Sequence, residues 1–242
     1  MRALIISDIH ANLVAFETVL EHAGEVDAVW CLGDVVGYGP NPNECIALLK
    51  EQPNMVSIMG NHDAAAIDEL ELNTFNPEAR RSIEWMREIL EPECFEFLGS
   101  RPRQLVMEGV TLVHGSPRQP IYEYLLDTRA ATENFEYFTT DFCFIGHTHL
   151  PVLFYMEPGD YLAGLTIPPI QQKTKLKPRA IINPGSVGQP RDRDPRAAYA
   201  LYDSEEITWH YRRVEYEITA TQERMQKADL PERHILRLEG GW

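Results

Sequence analysis

Five short apolar runs recur along the chain: Ala3-Leu4-Ile5-Ile6, Ala28-Val29-Trp30-Cys31-Leu32, Val56-Ser57-Ile58-Met59, Thr111-Leu112-Val113 and Phe142-Cys143-Phe144-Ile145. Runs of this length, closed by glycine or polar residues, predict buried strands. Each leads into residues with donor side chains: Asp8-Ile9-His10, Gly33-Asp34, Gly60-Asn61-His62-Asp63, His114-Gly115 and Gly146-His147-Thr148-His149. If the strands lie side by side in one sheet, their carboxyl ends bring two aspartates, one asparagine and five histidines to one rim. That rim is where open α/β sheets build their sites.

Elsewhere the polar and apolar positions alternate with other periods. Asn12 is placed to cap a helix that carries Leu13, Phe16, Leu20 and Ala23 at helical spacing. A strand over about 27–32 leads into the loop Gly37-Tyr38-Gly39-Pro40-Asn41-Pro42 and a short helix over about 43–50. A third strand is expected to end at Asn61. From about 64 to 92 the pattern is helical and reads as an insert beside the rim. Within it Asn76-Pro77-Glu78 marks a helix start, with proline at the first helical position. Ile83, Met86, Ile89 and Leu90 form its apolar stripe, read as core packing or a dimer contact. Later strands are expected over 105–107, 110–114, 142–146, 152–156, 161–165, 179–183, 198–202 and 207–211. Helices are expected over about 129–137 and 216–228, and the Pro-rich stretch 167–178 reads as a loop. No repeat and no linker divides the chain, so 1–242 is read as one domain. The expected fold class is α/β (α+β): two mixed sheets packed face to face with helices outside, a four-layer α-β-β-α sandwich.

Composition narrows the function. A hydrophobic content of 44% is enough for a large core. No apolar run approaches the ~20 residues of a membrane span. The N-terminus goes straight into a strand, so no signal peptide and a cytoplasmic location are expected. Cys31, Cys45, Cys94 and Cys143 form no C-x-x-C pair, and Cys31 and Cys143 sit in strands as small apolar fillers. The net charge of −15 disfavours a nucleic-acid polymer as partner, because wrapping a phosphate backbone needs a basic surface. It does not exclude a small anion, since bound dications would add positive charge at the rim.

The donor set carries the chemistry. Mixed Asp, Asn and His suits borderline divalent ions such as Mn, Fe, Zn, Co or Ni, whereas a pure carboxylate set would suit Mg or Ca. About seven plausible donors are too many for one tetrahedral ion and enough for two. A carboxylate can bridge two metals, and Asp34 lies in the middle of the set. Two dications roughly 3.5–4 Å apart are a known solution for phosphoryl chemistry: they polarise phosphate oxygens and lower the pKa of a shared water.

The ordered blocks D-x-H, G-D, G-N-H-D, H-G and G-H-T-H over residues 8–149 resemble those of the calcineurin-like metallophosphoesterase superfamily. The segment Asn183-Pro184-Gly185-Ser186-Val187-Gly188 resembles its bacterial and archaeal small-phosphodiesterase branch, which includes diadenosine tetraphosphatase-like proteins. A single such block is weak evidence, and five in order are strong. The resemblance implies that Asp8, His10 and His149 bind one metal, Asp34 bridges, and Asn61, His114 and His147 complete the second. It implies that His62 binds no metal but faces the scissile bond, as acid or as stabiliser of the transition state. It implies two divalent transition ions, manganese first, and in-line attack of metal-bound hydroxide on a small phosphodiester or nucleotide-type substrate. A Ser/Thr phosphoprotein phosphatase and a non-catalytic metal-binding scaffold, as in the retromer-subunit relative, are the alternatives.

Several residues stay open. Asp63 could hydrogen-bond locally or orient His62. Tyr38 or Asn41 could touch substrate, or their loop could be a rigid wall. Arg191, in the mixed-charge loop 191–196, is the candidate for a substrate contact because guanidinium suits phosphate. His22, His210 and His234 are read as polar surface residues and given no role.

Overall fold

The structure is a computed structural model that describes residues 1–107 and 109–242. Strands β1 (Arg2–Ile6), β2 (Ala28–Cys31) and β3 (Val56–Ser57) run parallel. β11 (Ala197–Asp203) pairs antiparallel with β1 and with β12 (Thr208–Val214), and β12 pairs with β9 (Lys173–Lys175). The order of this first sheet is β3-β2-β1-β11-β12-β9. The second sheet takes β4 (Gln104–Met107), β5 (Val110–Val113), β6 (Phe142–Phe144), β10 (Ala180–Asn183), β7 (Val152–Tyr155) and β8 (Gly164–Thr166) in the order β4-β5-β6-β10-β7-β8. β5, β6 and β10 are parallel at its centre. The five motif strands are therefore split between two sheets, three in one and two in the other, not gathered in one.

Strand alternation builds the layers, because successive side chains point to opposite faces. In β1, Ala3 and Ile5 face the second sheet while Leu4 and Ile6 face the helices. Trp30, Tyr202, Phe144 and Trp209 fill the space between the sheets, with the Trp30 ring 6.1 Å from Tyr202 and 6.3 Å from Phe144. The outer face of the first sheet is covered by α1 (Leu13–Ala23) and α2 (Pro42–Lys50), through Phe16, Val19, Ile46 and Leu49. That of the second sheet is covered by α6 (Thr128–Asn134) and the turn behind it, through Ala131 and Phe135. Two mixed sheets flanked by helices are the four-layer sandwich expected.

Local signals read correctly where they were strong. The Asn12 side chain accepts from Ala15 N, and the Asn76 side chain accepts from Ala79 N at the start of α4 (Pro77–Ile89). Ile83 and Met86 are buried, whereas Ile89 is exposed. Three expectations fail. The third strand ends at Ser57, and Asn61 opens α3 (Asn61–Ala66) because Gly60 and Asp63 together cap a helix there. Tyr161 is 98% exposed, and the strand expected over 161–165 is displaced to β8. The 167–178 loop contains β9, a polar edge strand held by its pairing with β12. Beyond α5 (Pro92–Gly99) and α7 (Ile218–Lys227), the chain forms one further helix, α8 (Glu232–Gly240). No helix among the described residues is long and apolar enough to cross a membrane.

Candidate metal centre

The six parallel strands end on one rim, and the turns beyond them are tightly wound. Asp8, His10, Asp34, His147 and His149 all have φ between +49° and +65°. This left-handed region costs a non-glycine residue roughly 1–3 kcal/mol and clusters at functional sites. Glycines supply the close approaches. A Cβ on Gly60 would lie 2.0 Å from Asp34 Oδ1, and a Cβ on Gly37 would lie 2.6 Å from His10 Nδ1 and 2.8 Å from His62 Nδ1.

All eight motif residues meet there, and all are buried. Donor atoms lie within 4.8 Å of one another in three sets: Asp8, His10 and His149; His10, Asp34 and His62; Asp34, His114 and His147. Asp34 and His10 each belong to two sets. Asn61 Oδ1 lies 3.1 Å from His114 Nε2 and so joins the third. By distance alone His62 could also be a ligand. Its ring packs on Tyr38 (centroids 4.4 Å apart), His10 (4.9 Å) and Phe75 (5.1 Å).

Outer carbonyls fix the imidazoles. His10 Nδ1 donates to Val36 O (3.1 Å), His114 Nδ1 to Leu32 O (2.8 Å) and His149 Nδ1 to Gln189 O (2.5 Å). Each thereby turns Nε2 inward, the usual arrangement of a metal-binding histidine. His147 is reversed: its Nε2 faces Tyr122 O (3.3 Å), which leaves Nδ1 inward. His10 Nε2 and His149 Nε2 stand 3.1 Å apart. With both Nδ1 protons committed to carbonyls, two lone pairs face each other, an arrangement that a cation between them relieves. Asp8 Oδ1, buried and without a hydrogen-bond partner, points the same way. The donors present therefore fit a divalent metal.

The charges agree. Burial holds His10 well below its ordinary pKa, takes His62 to about 4 and takes His147 to about 3. Burial also pulls His114 down, but Asp34, with Oδ2 at 3.2 Å, outweighs it and the ring reaches about 9. Burial would raise Asp34 and Asp8, yet the histidines around them hold both carboxyls below the usual range. Burial and the Asp34 charge push Asp63 up to about 7, although its oxygens accept from Val36 N (3.1 Å) and Gly60 N (3.0 Å). Asp63 thus ties the Asp34 loop to the start of α3.

The segment 183–190 lies behind the rim and braces it. Asn183 Nδ2 donates to Gly146 O (2.6 Å) and Thr148 Oγ1 (3.0 Å), Ser186 Oγ donates to Asp8 O (2.9 Å), and Gly188 N donates to Asp8 O (2.9 Å). Arg191 follows at the edge, its Nη2 3.3 Å from the Tyr38 hydroxyl. Asn41 does not face the donor cluster: its side chain joins Glu44 and Arg224 on the surface. His234 is buried rather than exposed, and its ring packs on Tyr38 with centroids 4.6 Å apart. Sequence reasoning also passed over Tyr124, whose ring stacks on His147 at 3.8 Å. Neither residue follows a strand-end motif, so no local signal marks it.

Paired sheets that deliver Asp, Asn and His to one rim define a metal-dependent hydrolase. The chain belongs to the calcineurin-like phosphoesterase superfamily, whose domain model matches residues 1–206. It is similar to a metallophosphoesterase from Sphaerobacter thermophilus, at 46% identity and a TM-score of 0.92, over 100% of this chain and 99% of that one. It is 36% identical over 237 residues to uncharacterized protein MJ0912 of Methanocaldococcus jannaschii, covering 94% of this chain and 93% of the relative. It shares its fold with hypothetical protein PH1004 of Pyrococcus horikoshii OT3, at 22% identity and a TM-score of 0.77, over 100% and 98% of the two chains. The protein is a metallophosphoesterase, a hydrolase of phosphoester bonds.

Proposed function

We propose that the protein is a dinuclear metal-dependent phosphoesterase acting on a small phosphodiester or nucleotide-type substrate. The observation that carries this reading is the position of Asp34: its Oδ2 lies 3.8 Å from His10 Nε2, which belongs to the donor set with Asp8 and His149, and 3.2 Å from His114 Nε2, which belongs to the set with His147. Asp8, His10 and His149 would hold one ion, Asn61, His114 and His147 the other, with Asp34 between them. The donor chemistry admits Mn, Fe, Zn, Ni or Co, and the family resemblance puts manganese first. When bound, such a pair polarises phosphate oxygens and makes a water acidic enough to be a nucleophile near neutral pH.

The chain's own residues do the rest. The carbonyls of Val36, Leu32 and Gln189 keep three imidazoles in the tautomer that leaves Nε2 free. His62 Nδ1 is buried with no hydrogen-bond partner, so that nitrogen is not spent on a hydrogen bond within the protein. It is assigned to the leaving oxygen or to the charge that develops on the phosphate. Tyr124 and Phe75 border the histidines with aromatic faces that suit a planar base. Arg191 is assigned to the substrate side, beyond Tyr38.

The test compares an aryl phosphodiester, an aryl phosphomonoester and a dinucleoside polyphosphate with manganese-loaded protein. Turnover of the diester or dinucleotide well above the monoester is expected. Dominant monoester turnover would move the reading toward a phosphatase and phosphopeptides. Two bound metals with no turnover of any would favour a scaffold. Asp34→Ala should lose metal and activity together. His62→Ala should keep metal and lose turnover by ~10²-fold, and normal turnover there would remove the role given to His62.

A further inference from the structure

Two guanidinium groups sit side by side at the edge of the centre. Arg191 Nη2 and Arg237 Nη1 both donate to one atom, Gln189 Oε1, at 3.1 and 3.2 Å. The remaining polar contacts are few. Arg191 reaches the Tyr38 hydroxyl, and Arg237 Nε donates to the Trp242 backbone oxygen (2.6 Å). Among the described residues neither has an Asp or Glu carboxylate within 4.0 Å. The neighbouring arginines differ: Arg196 is paired with Asp194 and Arg213 with Asp192. In a chain with 37 acidic side chains, two adjacent cations without one are a specific arrangement.

Two further observations aim the pair at a ligand. Arg191 Nε and Gln189 Nε2 are both buried donors with no partner. Leaving such groups unsatisfied costs free energy, which an anion between them would recover. The pair is also tied to the metal centre through its own supports. The Gln189 carbonyl holds His149, and Tyr38, which Arg191 contacts, packs on His10 and His62. Arg237 comes from α8, which docks on Tyr38 through His234 and lies outside the span matched by the superfamily model. Burial and the charge of Arg191 pull Arg237 down to about 10, as expected of two like charges held together.

We propose that Arg191 and Arg237, hinged on Gln189 beside the Tyr38 hydroxyl, form a second phosphate subsite, so that the substrate carries a phosphate besides the scissile one. This rests on the phosphoesterase reading and deepens it. A guanidinium fork binds phosphate oxygens in pairs, and two forks suit a dianionic group. The substrate class is then a nucleotide or dinucleotide with linked phosphates. A simple phosphodiester would fill only the metal side.

The test uses manganese-loaded protein and its Arg237→Gln and Arg237→Lys variants. The first readout is kcat/KM for a dinucleoside polyphosphate relative to an aryl phosphodiester. Arg237→Gln should lower that ratio by about 10-fold or more, through KM, the scale of a lost charge-assisted hydrogen bond. Arg237→Lys should recover part of it, because it restores charge without the fork. An unchanged ratio, or equal loss on both compounds, would overturn the proposal. The second readout needs no turnover: calorimetric binding of a methylene-bridged, non-hydrolysable dinucleoside polyphosphate. Wild type binding at least about 10-fold tighter than Arg237→Gln supports the subsite, and equal binding overturns it. A wild type that binds this analogue through Arg237 but hydrolyses nothing would refute the phosphoesterase reading alone.

Discussion

Replacing Gly37 by alanine tests how tightly the rim is built. Gly37 has φ of +115°, a conformation that an L side chain rarely adopts, so the backbone alone should cost roughly 1–3 kcal/mol. The new methyl would also fall 2.6 Å from His10 Nδ1 and 2.8 Å from His62 Nδ1, where ordinary contact begins at 3.4 Å. His10 would have to retreat by about 0.8 Å, away from the Val36 carbonyl that fixes its tautomer. Displacements near 1 Å in positioned catalytic groups cost ~10²-fold in rate, so kcat should fall by ~10–100-fold with weaker metal binding. Gly24→Ala provides the comparison: φ is +69°, but nothing lies within 4 Å of its new Cβ, and it ends α1 away from the rim. Thermal unfolding, metal titration and diester turnover would be measured for both. Gly24→Ala should lose stability and keep metal affinity, whereas Gly37→Ala should lose both. Wild-type metal affinity and turnover in Gly37→Ala would refute the reasoning.

Four further outcomes follow from the same structure. With the His114 pKa at about 9, the metal-free ring is protonated at pH 7, so metal binding should release a proton from it and tighten as pH rises toward 9; calorimetry in buffers of different ionisation enthalpy checks this, and the absence of proton release would contradict it. The sign for stability is the reverse: because the folded pKa lies above the unfolded one, the His114–Asp34 pair stabilises the metal-free protein fully below about pH 6.5 and loses that contribution as pH rises through about 9, which denaturant midpoints read. Asn183→Ala should weaken metal binding by ~10–100-fold with little change in helix content, since it frees Gly146 O and Thr148 Oγ1 just before and between His147 and His149. Trp30→Ala, between the sheets, should cost ~3–5 kcal/mol in chemical denaturation.

What the sequence determined was local. Apolar runs of three to five residues ending in Asp, Asn or His placed the strands and the donors, because burial and strand period are written residue by residue. Asn12 and Asn76 marked helix starts because a cap bonds only three residues on. Tertiary structure decided what depends on distant partners. β9 is polar and becomes a strand only through pairing with β12. The brace from Asn183 to the His147 loop joins residues far apart in sequence. Tyr38 could be placed near the donor cluster from its loop. That His234 would pack on it from α8, and that Arg237 would meet Arg191 at Gln189, required the folded chain. The charges divide in the same way. Composition gave a net −15, but only the packing of His114 on Asp34 sets that proton, and only the meeting of Arg191 with Arg237 makes a positive edge on an acidic protein. Local periodicity records which side chains are buried, and the folded chain alone records which ones they are buried against.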